Sequence, residues 1–429
     1  MAASTASSSR PADPTAVAAA LVVGLLLLIA SWTALHGWFF AESQISDLPV
    51  YIKYGNRIAA GDVPYRGFRV EYPPGALPVF AAPALGHAPS SFDSYRRVFE
   101  TLMFLAAAFG LLAVWQALRC LGTGLARTVG VLVVAGLAPL ALGSVVLSRF
   151  DLWPAAICVG AVAALVCGRP RLGLALLGLG VATKLWPGVV VPFALVYVWR
   201  GEGRRMALAA GGWFAAVLAA WVLPFLILSP SGLWHSVSGQ LTRPLQIESL
   251  GSSFLLVAHR FGLEITMRSS HGSQNLDGTG PYVIGVAQTG LQLVVLAALF
   301  AAFARLRRPM PDDFVRYAAA AAVAFVALGK VLSPQFLIWL VPLVLLVRGR
   351  RGLVATGLLG CAAVLTQIWF PYRYWSLALA FDPLSSWLVF ARDLVLLALL
   401  AVLAWPKTGL PRPRASRCAA PRRLSRGRS

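Results

Sequence analysis

The chain has 429 residues, 58% of them hydrophobic and only 12% charged, with a formal net charge of +21. Soluble globular domains carry about 25% charged residues, so a large soluble domain is excluded and a polytopic membrane protein is expected. The positive excess lies in short turns between apolar runs and in a Pro- and Arg-rich tail from Lys407 to Arg428, a placement that suits anionic lipid headgroups and argues against a nucleic-acid partner.

In chain order, residues 1–15 are Ala- and Ser-rich and read as a disordered cytoplasmic N-terminus. Residues 16–405 read as one membrane-embedded domain, and 406–429 as a disordered basic cytoplasmic tail. A bilayer-crossing helix needs about 20 apolar residues. The spans expected are Ala16–Leu35, Val98–Leu118, Thr128–Leu147, Leu152–Cys167, Leu172–Trp186, Gly188–Trp199, Met206–Leu228, Pro281–Ala304, Phe314–Lys330, Gln335–Val347, Gly352–Trp369 and Ser386–Trp405. The expected fold class is therefore all-α and polytopic, with about 12 transmembrane helices, several of them short. Val17–Leu35 is long for a signal-peptide core and no small-x-small cleavage site follows it, so the first span is read as uncleaved. Gly75–Leu85, broken by Pro78 and Pro83, is too short to span and reads as a re-entrant or interfacial piece. Lys184 and Pro187 divide one long apolar run into two.

Arg119/Arg127, Arg169/Arg171, Arg200/Arg204/Arg205, Arg305/Arg307/Arg308 and Arg348/Arg350/Arg351 fall in alternate turns. With Arg10 and the tail they place both termini in the cytoplasm. Two long loops, 36–97 and 229–280, are then extracytoplasmic. The five cysteines (Cys120, Cys158, Cys167, Cys361 and Cys418) show neither paired nor metal-ligand spacing, so no disulfide is expected. Trp369–Trp375 reads as an interfacial aromatic belt, with sugar stacking as the alternative.

The charges that matter collect on the outer rim. Asp47 opens Asp-Leu-Pro-Val-Tyr and can serve as a general base towards an incoming hydroxyl. The plainer reading is a helix N-cap or a solvated loop carboxylate. Arg149, Lys184 and Lys330 each border an apolar run. One such cation alone is a snorkelling side chain; three on one side call for an anion, and a lipid-linked phosphate lies at the right depth. The short Ser148–Asp151 turn lets Asp151 orient Arg149 or hold a sugar hydroxyl. Glu71 and Glu248 are further acids on the same side. There is no Walker A loop, no Asp-x-Asp pair and no His/Cys cluster. A cytoplasmic nucleotide donor is thus unsupported, and neither a metal nor another cofactor is expected.

The motifs in order are Asp47-Leu-x-Val-Tyr, Gly61-Asp-Val-Pro-Tyr65, Tyr72-Pro-Pro, Ser148-Arg-Phe-Asp151, Arg169-Pro-Arg, Ala182-Thr-Lys-Leu-Trp-Pro187, Arg243-Pro-Leu-Gln-Ile-Glu-Ser249 and Lys330-Val-Leu-Ser-Pro-Gln-Phe336. With them the chain resembles glycosyltransferase family 87 of the C-type membrane glycosyltransferase superfamily, over most of Asp47 to Leu346. The resemblance implies a plasma-membrane enzyme of cell-envelope biosynthesis. Its donor would be a polyprenyl-phosphate sugar, usually mannose and sometimes arabinofuranose. Its acceptor would be a glycolipid or polysaccharide on the extracytoplasmic face. It implies Asp47 as catalytic base, Arg149, Lys184, Lys330 and Arg243 on the donor phosphate, and Asp151, Glu71, Tyr72, Glu248 and Gln335 orienting sugar or acceptor. Some mannosyltransferases of the family carry a histidine-bearing segment where this chain has Lys330–Gln335. The competing class is a lipid-linked-sugar flippase, which needs a polar path through the inner halves of the spans; Arg316 and the Arg392/Asp393 pair are the main charges there. An inactive scaffold is the third reading, and nothing in the sequence sets the oligomeric state.

Overall fold

The computed structural model describes residues 14–39, 45–85 and 91–405. The basic tail, Arg10, Cys418 and the N-terminal segment up to residue 13 lie outside the described residues, whereas Pro14 and Thr15 already belong to the first helix. That helix, α1 (Pro14–Ala34), holds no charged residue. α2 (Leu48–Ala59) buries Leu48, Tyr51, Tyr54 and Gly55, a single stripe at helical spacing. α3 (Leu77–Ala81) sits between two turns of 3-10 helix, so the Pro-rich piece is folded but does not span.

Next come α4 (Phe92–Cys120), α5 (Leu125–Leu142), the single turn α6 (Val145–Ser148), α7 (Leu152–Val166), α8 (Pro170–Thr183), α9 (Val191–Glu202) and α10 (Arg204–Leu228). Two helices of the second long loop follow, α11 (Pro230–Leu241) and α12 (Leu250–His259), then the antiparallel hairpin β1 (Thr266–Ser270) and β2 (Ser273–Asp277). The chain closes with α13 (Thr279–Ala304), α14 (Pro311–Ala327), α15 (Leu337–Leu345), α16 (Gly349–Trp369), α17 (Tyr374–Ala380) and α18 (Pro383–Ala404). Helix starts follow capping chemistry where the sequence supplies it. Ser91 accepts from the Ser94 amide to open α4, and Asp382 accepts from the Ser385 amide at 2.9 Å to open α18.

Among the described residues, seven helices, built on α1, α4, α5, α10, α13, α16 and α18, are long and apolar enough to cross a membrane. The other expected spans fall on shorter helices: α7 has 15 residues, α8 14, α9 12, α14 17 and α15 9. The reason is visible in burial. α7 buries every residue from Pro154 to Val166, while α10 buries only Ala210. Helices packed inside need not match the thickness of the lipid; the peripheral ones must.

At one pole three arginines, Arg127, Arg316 and Arg348, bond the carbonyls at helix C-termini. Arg127 Nη2 donates to the Leu345 and Val347 carbonyls at 3.2 and 2.9 Å. Arg348 donates to the Leu121 carbonyl at the end of α4 and pairs with Asp312. Arg316 donates to the Leu403 carbonyl at 2.9 Å, so it caps α18 rather than its own helix.

Three expectations are corrected. Cys120 and Cys167 form a disulfide, with Cα atoms 5.2 Å apart. α4 and α7 pack together and end at the same pole, a pairing that linear spacing does not show. Arg392 and Asp393 do not mark an inner polar path, because Arg392 is bonded to Glu248 in the second long loop. The Trp369–Trp375 belt is half core: Trp369, Phe370 and Tyr374 are buried, while Tyr372 and Trp375 are exposed.

Candidate active site

At the opposite pole, three chain segments converge. After α6 the chain runs extended through Arg149 and then turns, so that Asp151 stands at the N-cap position of α7. After α8 it runs extended through Lys184 before the turn at Trp186–Pro187. The third segment is the loop before α3. It approaches so closely that a Cβ on Gly75 would lie 2.8 Å from the Ala182 carbonyl group, and only glycine fits there.

Asp47 occupies the N-cap position of α2, but its side chain makes no capping bond. The Ser46 hydroxyl takes the Leu48 amide at 3.1 Å instead. The Asp47 carboxylate pairs with Arg149 and accepts from the Tyr51 hydroxyl at 3.3 Å. Arg149 also donates to the Ile45 carbonyl at 3.1 Å. Beside this pair lies a second: Lys184 Nζ is 2.6 Å from Asp151 Oδ1, which also accepts from the Trp339 indole at 2.6 Å. The Lys184 ammonium sits 4.7 Å from the centre of Phe150 and 4.9 Å from that of Trp339. Trp339 in turn stacks between Trp186 and Phe336. Aromatic faces of this kind favour a desolvated cation.

Under the Asp47–Arg149 pair is an aromatic floor. Tyr51 stacks on Phe80 with centres 4.5 Å apart, and Tyr72 meets Phe150 edge-on at 5.0 Å. Burial, with the Asp47 charge acting the same way, pushes the Tyr72 hydroxyl well above its ordinary value, so it remains a proton donor. Burial alone would lower the Arg149 guanidinium; Asp47 together with Tyr51 and Tyr72 outweighs it and holds that group raised.

Arg243 lies in the second long loop, within Coulombic reach of Tyr72, Glu71, Asp47 and Glu248. Burial pulls its guanidinium down. Its one hydrogen bond reaches Gln240 at 3.5 Å, and its Nε has no partner among the described residues. Glu71 is exposed; its carbonyl accepts from Gln240 at 3.2 Å. Glu248 is buried and accepts from Gln246 at 2.5 Å; burial raises it to about 7 against the pull of Arg392.

Not all the expected residues meet. Among the described residues, no ion pair or hydrogen bond joins Lys330 or Gln335 to the two ion pairs. Lys330 donates to the Leu241 carbonyl at 3.0 Å, and its own carbonyl accepts from the Gln246 amide at 2.9 Å, so it ties α11 to the Arg243–Glu248 segment. The hairpin extends that segment: Leu276 donates to Leu245 and Ile247 to Gln274. Sequence reasoning passed over Tyr51 and Trp339. Trp339 follows Phe336 at i+3 in a helical run, a spacing that puts both on one face.

The arrangement is a rim of carboxylates and cations over an aromatic floor, at one end of a bundle of membrane-length helices. The profile of glycosyltransferase family 87 matches residues 71–334, and the chain belongs to that family, which makes it a membrane glycosyltransferase. No curated protein matches the chain. Among solved structures it is similar to ArnT from Cupriavidus metallidurans bound to undecaprenyl phosphate, at 15% identity, covering 91% of this chain and 76% of that one with a TM-score of 0.47. It is also similar to the Archaeoglobus fulgidus oligosaccharyltransferase. The apo form matches at 14% identity over 91% of this chain and 55% of that one, with a TM-score of 0.44. The form tethered to an acceptor peptide with the NVT sequon matches at 14% over 90% and 54%, with a TM-score of 0.46.

Proposed function

We propose that the protein transfers a sugar from a polyprenyl-phosphate donor to a glycolipid or polysaccharide acceptor on the extracytoplasmic face. The observation that carries this reading is Arg243, a half-buried guanidinium that pairs with no carboxylate among the described residues, beside the Asp47–Arg149 pair. A cation partly withdrawn from water and left unpaired favours an anion, and at the membrane rim a lipid phosphate supplies one. The arginine turns at the other pole support the sidedness.

The donor phosphate meets Arg243 and draws Arg149 and Lys184 from their carboxylates. Asp47, released from Arg149, takes the proton of the acceptor hydroxyl. The hydroxyl oxygen forms a bond to the anomeric carbon as the bond from that carbon to the phosphate oxygen breaks. The electron pair leaves with the lipid phosphate, which the cations stabilise. Displacement in one step inverts the anomeric centre. Asp151, Tyr72, Glu71 and Glu248 are placed to orient sugar and acceptor. Lys330 acts by holding the Arg243–Glu248 segment, and no step calls on a metal.

Mannose is the sugar proposed, from the family resemblance, with arabinofuranose as the competitor. Purified protein is offered labelled mannosyl and arabinosyl polyprenyl phosphates side by side with a glycolipid acceptor. Transfer from the mannosyl donor is expected, and Arg243→Gln should raise the donor KM about tenfold or more, the worth of one charged hydrogen bond. An unchanged donor KM in that variant removes Arg243 from the phosphate site.

A further inference from the structure

The outer half of α18 holds an ion pair that the proposed chemistry does not use. Arg392 Nε lies 2.7 Å from Asp393 Oδ1, and the two residues are 0% and 1% exposed. Charges within a membrane helix are costly, and where they occur they mark function or a structural tie. The Arg392 fork reaches beyond its own helix, donating from Nη2 to the Glu248 carbonyl at 2.6 Å. α12, which follows Glu248 in the chain, packs on α18.

Glu248 is itself 1% exposed. Its Oε2 accepts from Gln246 Nε2, which is also 2.8 Å from the Ser333 hydroxyl. That side-chain bond fixes the carboxyl rotamer, and the Arg392 bond fixes the backbone it hangs from. The other oxygen, Oε1, has no partner among the described residues. Buried carboxylate oxygens are ordinarily satisfied, so an open one marks unused acceptor capacity. Arg149 and Arg243 both lie within Coulombic reach of Glu248, so the residue belongs to the same neighbourhood as the Asp47 group.

We propose that Arg392 is a positioning residue for glycosyl transfer, holding Glu248 so that its open carboxylate oxygen receives a hydroxyl of the donor sugar. The proposal rests on the transferase reading above. It adds a helix lying wholly outside residues 71–334, the stretch that the family profile matches.

The test uses the full-length protein in lipid nanodiscs with labelled polyprenyl-phosphate mannose. Arg392→Met with Asp393→Leu removes the pair together, leaving no lone buried charge; Glu248→Gln keeps an oxygen on Gln246 and turns an NH2 donor into the open position. Each should lower kcat/KM for the donor about ten- to a hundredfold, the range of one hydrogen bond to a charged group. Combined, they should be no worse than Glu248→Gln alone, because both act through one contact. If the paired variant does not fold, Arg392→Lys serves instead: kcat/KM should fall while the unfolding temperature holds. Wild-type kcat/KM in either Arg392 variant, or effects that multiply in combination, overturns the positioning role alone. Wild-type protein that transfers no sugar from any polyprenyl-phosphate donor overturns the transferase reading as well.

Discussion

The Asp47 carboxylate is paired with Arg149, across the chain, although Asp47 stands where it would cap α2. The amide that its side chain would have capped, that of Val50, goes to the Asp47 backbone carbonyl at 2.9 Å. The position alone suggested an ordinary N-cap, and the side chain declines that role. On the reading proposed above, a carboxylate held by one guanidinium and one tyrosine hydroxyl is stored in a form that an arriving phosphate would release.

Asp47→Asn should therefore lower kcat by a hundredfold or more, in the range of about 10²–10⁴ for general-base groups. Membrane insertion should stay near wild type, while the unfolding temperature falls, because Arg149 is left buried without its carboxylate. The measurement is single-turnover transfer of labelled sugar, and activity within tenfold of wild type would remove Asp47 as the base.

The Asp151–Lys184 pair carries the same logic further, because here the carboxylate too is almost wholly buried. Asp151→Asn leaves the Lys184 ammonium among Phe150, Trp339 and Phe336 without its countercharge. Breaking a buried pair costs about 3–5 kcal/mol, so unfolding temperature should fall. Asp151→Leu with Lys184→Met should recover most of it and remain inactive. Thermal unfolding in detergent, read beside the transfer assay, separates the two effects.

Glu248 predicts a pH trend in stability. Burial raises it from 4.5 to about 7, with Arg392, Gln246 and Arg149 pulling down and Asp393 pushing up. The folded state thus binds more protons than the unfolded state between those values. Its contribution to stability is then full below about pH 4.5, declines as pH rises, and is lost above about 7. The span corresponds to roughly 3 kcal/mol at 1.36 kcal/mol per unit. Glu248→Gln should flatten that part of the profile, which denaturation at pH 5 and pH 8 would show; an unchanged slope would assign the trend to other groups.

Gly75 is a purely steric test. Gly75→Ala brings a Cβ to 2.8 Å from Ala182 carbonyl atoms, so the loop carrying Tyr72 must move away from the end of α8. Overpacking of this kind costs about 1–3 kcal/mol. Donor KM should rise together with the loss of stability, whereas Gly130→Ala in α5, where a Cβ meets nothing within 4 Å, should leave KM unchanged.

Much of the rim was legible in the sequence because an interrupted apolar run is a strong signal. Lys184 and Asp151 each break such a run, and the alternating arginine turns put both at one pole. Twelve runs were also legible, but not that five would fold as short helices, since length reflects burial and burial depends on neighbours. The pairing itself was hidden. Trp339 reaches Asp151 across 188 residues and Arg392 reaches Glu248 across 144, and no local pattern encodes either. The Cys120–Cys167 bond was missed for the same reason. Lys330 looked like a third phosphate ligand because its flanks match those of Lys184, but α11 presents it with a carbonyl.

That disulfide also serves as a depth gauge. It fixes the C-terminal ends of α4 and α7 level with each other, yet α4 has 29 residues and α7 has 15. At 1.5 Å per residue, the start of α7, with Asp151 and Arg149 beside it, lies about 20 Å short of the N-terminal tip of α4. On the reading proposed above, α4 stands past the site like a post, and a donor embedded in the bilayer would meet Asp151 and Arg149 without leaving the lipid.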